Sequence, residues 1–252
     1  MLRDKINIIF LGRGPIAERC FTLCAESEKM SIKGVSSNEQ FREKFLLDDK
    51  SEISFISNTK RNEHLILKLI KEKKIDYLIS VQHPWILSKK VLDQVNNQAF
   101  NLHNAKLPEY QGFNSISHAI LNGDATYTTT IHWVVPEVDS GAIAYEETTN
   151  IKCCDTAKTL YDKTVDMSVK NFGKLIDSLS NYISVPHKEL RGKRCFFKKR
   201  EIIPLKKIQN ILNYDEVDRK SRAFSFYPHE PAYFFLRGRK FYVTTKGCVD
   251  EG

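Results

Sequence analysis

An amide, an imidazole and a carboxylate are the residues of this 252-residue chain whose types could do chemistry: Asn101 and His103 in FNLHNAKLPEYQGFNSISHAILNGD and, 36 positions after His103, Asp139 in VVPEVDSGAIAYE. The amide can donate a hydrogen bond to a developing oxyanion, and the imidazole can accept a proton near neutral pH. A carboxylate beside the imidazole orients it and favours its charged form. Asn101 and His103 are two apart in an extended stretch, so both side chains point to the same side of a strand. Pro108 and Gly112 then break the stretch, where a pocket can open. Taken singly, each residue has an ordinary reading: a turn-capping Asn, a hydrogen-bonded His, an Asp in a turn before Ser-Gly. The surroundings decide between the two.

A scaffold for these side chains is legible on both sides of them. KINIIFLG is a short apolar run ending in glycine, and RGPIAERCFTLCAES follows with Ile16, Cys20, Phe21, Leu23 and Cys24 at helical spacing, which predicts strand, tight turn and helix. The GRGP turn holds only part of a GxGxxG pattern, with Pro15 inside it, and reads as a tight strand-to-helix connection. SIKGVSSN, ISFISN, IDYLISVQ, AFNLHNA and TYTTTIHWVVP read as strands, EHLILKLIKEKK and SKKVLDQVNN as helices. This alternation predicts an α/β fold with a mostly parallel sheet covered on both faces. In such sheets ligands gather at the carboxyl ends of the strands, where SVQHPWIL and NLHNAKLP fall. Beyond Asp155, taken as a helix cap, Ala157, Leu160, Thr164, Val165, Val169, Phe172, Leu175, Ile176 and Leu179 mark one face of a long packing helix. From about Pro186 short basic, aromatic-rich runs predict a small β-rich unit, which divides the chain into 1–185 and 186–252.

Composition narrows the function classes. With 41% hydrophobic and 28% charged residues the chain has the make-up of a globular protein. Its longest apolar runs are strand-sized, and MLRDKINIIFLG lacks an apolar signal segment, so a cytoplasmic protein without a membrane role is expected. Cys20, Cys24, Cys153, Cys154, Cys195 and Cys248 form no CxxC pair; they read as reduced thiols, and no metal site is expected. The net charge of +8 collects in EKFLLDDK through KLIKEKK, in HKELRGKRCFFKKR and in RGRK. KLIKEKK reads as the solvated end of a helix and RGKRCFFKKR as an edge strand guarded by charge, so nucleic acid is not expected as a partner. A phosphorylated small substrate needs only one or two of these cations.

The order Asn101-x-His103, Leu107-Pro108, Gly112, then Asp139-x-Gly141 after an intervening strand resembles the formyltransferases that use a formylated tetrahydrofolate. The agreement runs over residues 75 to 147, and weaker similarity extends from the first strand through the long helix. The resemblance implies a Rossmann-like catalytic domain and 10-formyltetrahydrofolate as formyl donor, with Asn101, His103 and Asp139 as the catalytic residues. Asn101 would bind the formyl oxygen. His103 would take the proton of the attacking amine or donate to the oxyanion, and Asp139 would hold the imidazole. It also places His83, Trp85, Ile86 and Leu87 in a loop holding the pterin, with Val135 and Val138 closing the other side. His132 and Trp133, on the preceding strand, fit core and site alike.

Three acceptor classes belong to this family: methionyl-tRNA, glycinamide ribonucleotide and nucleotide-linked amino sugars. YQGFNSISHAILNG resembles the acceptor loop of the sugar enzymes, which implies Tyr110, Gln111, Gly112, Phe113 and Asn114 as substrate-binding residues. Thr128 and Thr129 depart from the family's usual Gly and small aliphatic residue. The resulting expectation is an N-formyltransferase of a dTDP-4-amino-4,6-dideoxyhexose type of substrate, serving surface polysaccharide (O-antigen, lipopolysaccharide) synthesis as a homodimer. The other two acceptors, and a folate-binding protein without turnover, are the alternatives.

Overall fold

The computed structural model describes residues 5–46 and 52–245. Cys248, the closing KGCVDEG run and the last part of EKFLLDDK lie outside the described residues. In chain order the elements are β1 (Ile6–Gly12), α1 (Gly14–Glu26), β2 (Met30–Ser37), α2 (Glu39–Phe45), β3 (Ser54–Ser57) and α3 (Glu63–Lys73). Then come β4 (Tyr77–Val81), α4 (Lys89–Gln94), β5 (Ala99–His103), β6 (Gln111–Gly112), α5 (Ser115–Asn122) and β7 (Thr126–Trp133). The last are β8 (Ile143–Asn150), α6 (Ala157–Ser180), β9 (Phe196–Phe197), α7 (Tyr214–Ala223), β10 (Ala232–Leu236) and β11 (Arg239–Val243).

Seven strands form one sheet in the order β3-β2-β1-β4-β5-β7-β8. The pairs β1–β2, β2–β3, β1–β4 and β4–β5 are parallel, whereas β5 and β7 are antiparallel. The mostly parallel α/β sheet expected from the strand–helix alternation is therefore present. Contacts divide the chain into two compact units. The first is Met1–His103, Thr129–Glu147 and Ser168–Arg191; the second is Asn104–Thr128, Thr148–Met167 and Gly192–Gly252.

In the first unit β1 is buried on both faces, which is why its sequence is continuously apolar rather than alternating. Ile9 and Leu11 join Ile66, Leu69, Ile70, Leu78, Val91 and Leu92 in one core cluster. Phe10 packs edge-on against Phe21, centroids 5.5 Å apart, and Phe21 against Phe41 of α2 at 5.2 Å. Each fully buried side chain of this size contributes about 1.5–3 kcal/mol. Gly12 ends β1 because nothing larger fits: a Cβ there would stand 2.4 Å from the Val81 carbonyl oxygen. Cys20 and Cys24 are buried in this unit, and burial raises both thiols far above their usual range, so they act as small apolar residues.

The second unit packs Tyr110, Ile120, Tyr127, Leu160, Phe224 and Ala232 together. It contains the antiparallel hairpin β10–β11, and RCFFKKR supplies only the two-residue β9, paired in parallel with β6. The stretch read as β-rich also holds helix α7. Asn213 caps it by accepting from Glu216 N at 3.1 Å, and the Glu216 carboxylate accepts from Gln209 N and Asn210 N.

The long helix α6 begins differently from the expectation of an Asp155 cap. Thr156 Oγ1 accepts from Thr159 N at 3.1 Å while Thr159 Oγ1 accepts from Thr156 N at 2.9 Å, a reciprocal cap. Asp155 instead accepts from Lys152 N and pairs with Lys163 at 2.5 Å. Ser168 and Asn171, polar residues outside the apolar pattern, are fully buried, and Asn171 donates to the carbonyls of Thr129 and Tyr145.

Candidate functional site

Parallel pairing of β4 with β5 sets Ser80 beside Asn101 and Val81 beside Leu102. The loop after β4 and the pair Asn101–His103 consequently leave the sheet at one edge, the carboxyl end of parallel strands. Antiparallel pairing of β5 with β7 sets His132 opposite Asn101. Directly opposed residues share a face, so His132 lies beside the Asn101 amide.

Asp139 arrives from the connection between β7 and β8. It is held at φ +48°, a left-handed conformation sparsely populated by non-glycine residues. Ser140 Oγ donates to Val138 O at 3.0 Å, and Trp133 N donates to Ala142 O at 2.9 Å. A Cβ at Gly141 would stand 1.8 Å from the Trp133 carbonyl oxygen, so only glycine lets the loop close so tightly. The Asp139 carboxylate is thereby set between two imidazoles, 3.6 Å from His103 Nδ1 and 3.5 Å from His132 Nε2. Asp139 and His103 are about nine-tenths buried and His132 is 3% exposed. Charge at this site is poorly screened by water.

The loop after β4 divides the residues expected to hold a heteroaromatic ligand. Leu87 is part of the apolar core, Trp85 packs partly against that core, and Ile86 is exposed. His83 meets Trp85 edge-on at 4.3 Å. Both His83 ring nitrogens and Trp85 Nε1 are buried without a hydrogen-bond partner among the described residues. Burial, aided by the positive charges of Arg13 and Lys60, lowers the His83 pKa to about 3, so this imidazole is neutral at physiological pH. Three unpaired ring nitrogens in a half-apolar loop could serve a planar ligand carrying its own donors and acceptors. Val135 and Val138, in the connection leading to Asp139, are half-buried.

Tyr110–Asn114 belong to the second unit. Tyr110 is buried, stacks on Phe197 at 5.7 Å and donates its hydroxyl hydrogen to Asp124. Gln111 is buried in the β6–β9 pairing, and a Cβ on Gly112 would stand 2.4 Å from Phe197 O. Phe113 and Asn114 are the exposed members, and Asn114 donates to Lys199 O at 3.1 Å. The remainder of the expected acceptor loop is helix α5. Two polar neighbours of Asn101 complete the site. His132 stood in the sequence as core or site alike, and Ser80 carried only the signal of a lone polar residue within the apolar run YLISV.

The fold and this cluster define an α/β protein with a polar site at the carboxyl end of a parallel sheet. More specifically, the chain belongs to the formyl transferase family, whose model matches residues 20–176, more than half of its length. Among named relatives, the methionyl-tRNA formyltransferase of Fusobacterium nucleatum is 30% identical over 182 residues, 68% of this chain and 58% of that one. The chain spans about half the length of the curated relatives it matches. A 4-N formyltransferase from Francisella tularensis superposes with a TM-score of 0.81 at 19% identity, covering 98% of this chain and 100% of that one. An N-formyltransferase from Helicobacter canadensis, solved with folinic acid and dTDP-3-aminofucose, superposes at 0.72 with 18% identity, covering 92% and 85%.

Proposed function

We propose that this protein transfers a formyl group from 10-formyltetrahydrofolate to the amine of a nucleotide-linked amino sugar of the dTDP-4-amino-4,6-dideoxyhexose type, in surface polysaccharide synthesis. The observation that carries formyl transfer is the convergence of Asn101, His103 and Asp139 on one buried site. In this reading the acceptor amine attacks the formyl carbon, a carbon–nitrogen bond forms, and the bond to the donor nitrogen breaks. Asn101 donates an amide N–H to the formyl oxygen as charge grows there. His103 takes the proton that the amine releases and returns one to the departing nitrogen, and Asp139 stabilises the imidazolium between those events. His83 and Trp85 would hold the pterin of the donor, their three unpaired ring nitrogens matching its polar edge.

The sugar acceptor is supported by fold likeness along nearly the whole chain to a 4-N formyltransferase, including the part that follows the family match. Among Tyr110–Asn114, Phe113 and Asn114 are the exposed residues, with surface to offer an acceptor. The second reading, methionyl-tRNA, is favoured by the identity of 30% to such an enzyme. The two separate in one assay: 10-formyltetrahydrofolate with a panel of nucleotide-linked amino sugars on one side and charged initiator tRNA on the other. Formylation of a sugar upholds the proposal. Formylation of the tRNA alone overturns the acceptor, and donor binding without turnover on any amine overturns the enzyme.

A further inference from the structure

Four polar groups form a relay across β4, β5 and β7, all within the first unit. Ser80 Oγ lies 2.8 Å from Asn101 Oδ1, Asn101 Nδ2 lies 3.0 Å from His132 Nε2, and His132 Nδ1 lies 2.9 Å from the Trp133 carbonyl oxygen. The last contact sets the direction of the others. A carbonyl oxygen only accepts, so His132 Nδ1 carries the hydrogen. Asn101 Nδ2 is the amide atom that faces Nε2, and an NH₂ group only donates, so Nε2 accepts. Oδ1 is left facing Ser80, whose hydroxyl donates. An amide turned by 180° would set its oxygen against the lone pair of His132 Nε2. Ser80 and His132 are 8% and 3% exposed, so water offers little substitute for either contact. The Asp139 carboxylate lies 3.5 Å from the same Nε2, farther than the amide.

We propose that Ser80 and His132 are positioning residues that lock the Asn101 amide in one orientation, so that its second N–H, and never its oxygen, is presented to the formyl oxygen. The inference rests on the formyl-transfer reading. An unlocked amide divides its time between two orientations, one of which repels the developing charge. The substrate would still bind, but the transition state would be poorly met. The effect belongs in kcat rather than KM.

The test is a double-mutant cycle in steady-state kinetics, with melting curves as control. Ser80→Ala should lower kcat roughly 10-fold, a size typical of removing an orienting hydrogen bond, with KM for the formyl donor changed less than about twofold. Ser80→Thr, which keeps the hydroxyl, should recover most of the loss. In an Asn101→Ala background Ser80→Ala should have no further effect, because its only route to the chemistry is gone. Wild-type kcat in Ser80→Ala, or an equal loss in both backgrounds, overturns the proposal. Should Ser80→Ala melt early, the cycle of His132→Leu with Asn101→Ala gives the same decision. A wild-type protein without formyl transfer would sink the functional reading. The relay would then be judged by NMR, where slow exchange of one Asn101 side-chain amide proton must be lost in Ser80→Ala.

Discussion

Truncating Asn101 to alanine removes the donor proposed for the formyl oxygen and leaves Ser80 and His132 without their shared partner. The expected outcome is a fall in kcat of about 10²–10³, roughly 3 kcal/mol of lost transition-state stabilisation, with KM little changed. His103→Ala should abolish transfer while donor binding, read by calorimetry, persists, because the loop holding His83 and Trp85 is built on β4 and not on β5. Wild-type-like turnover in that variant would remove His103 from the mechanism. Asn101, His103 and Asp139 were legible in the sequence because their types recur in a fixed order with Pro108, Gly112 and Gly141 around them. Ser80 was not. Its role depends on the β4–β5 register, a tertiary fact that spacing along one strand does not carry. Leu87 shows the opposite case: a loop residue that fits a pocket wall on paper, yet packs in the core once α4 is in place.

Elements rather than side chains decide where Asp139 stands. The β7–β8 connection is pinned by the Gly141 backbone against the Trp133 carbonyl, so Gly141→Ala should displace the loop and the carboxylate with it. A 10²-fold or greater loss of kcat is expected, since a misplacement of about 1 Å suffices for that. Unchanged kinetics would show that the loop tolerates the shift. Thr156→Ala tests the start of α6: loss of the reciprocal cap should destabilise the protein by about 1 kcal/mol in denaturant unfolding, whereas Asp155→Asn should leave the cap intact. Strands β1 and β4 were readable because burial on both faces leaves nearly continuous apolar runs. Of the short helices α4 was read, but α2, α5 and α7, which are 7, 8 and 10 residues long, were not, and each depends on neighbours for stability more than on its own periodicity. Their caps were the available signal, as with Asn38, which accepts from Phe41 N, and Asn213. Asp155 misled because Asp and Thr are both good caps and stand side by side.

Acid sensitivity is a property of the whole molecule, and His83 is where it begins. Burial, with Arg13 and Lys60 nearby, holds the folded imidazole at a pKa of about 3 against an ordinary 6.5. Above pH 6.5 the ring is neutral in both folded and unfolded chains and stability is unaffected. Between pH 6.5 and 3 the unfolded chain takes up a proton that the folded one refuses, so stability falls with pH by about 1.4 kcal/mol per unit. That amounts to roughly 2 kcal/mol by pH 5, a sizeable share of a typical 5–15 kcal/mol total. Asp155 adds a second, lower window. Burial raises its pKa, but the Lys163 and Lys152 hydrogen bonds outweigh burial and leave it below the usual 3.8. Its ion pair therefore stabilises the fold above about pH 4 and is lost as pH falls through the lowered value. Urea unfolding from pH 7.5 down to 5 should show the histidine slope, carried mainly by His83, with His118, also lowered by burial, adding to it. His83→Phe keeps a ring against Trp85 but cannot take up a proton, so it should remove most of that slope and leave the decline below pH 4 in place. A slope between pH 6.5 and 5 that survives undiminished in His83→Phe would assign the acid sensitivity to another group and undercut the neutral, buried imidazole of the proposed donor site.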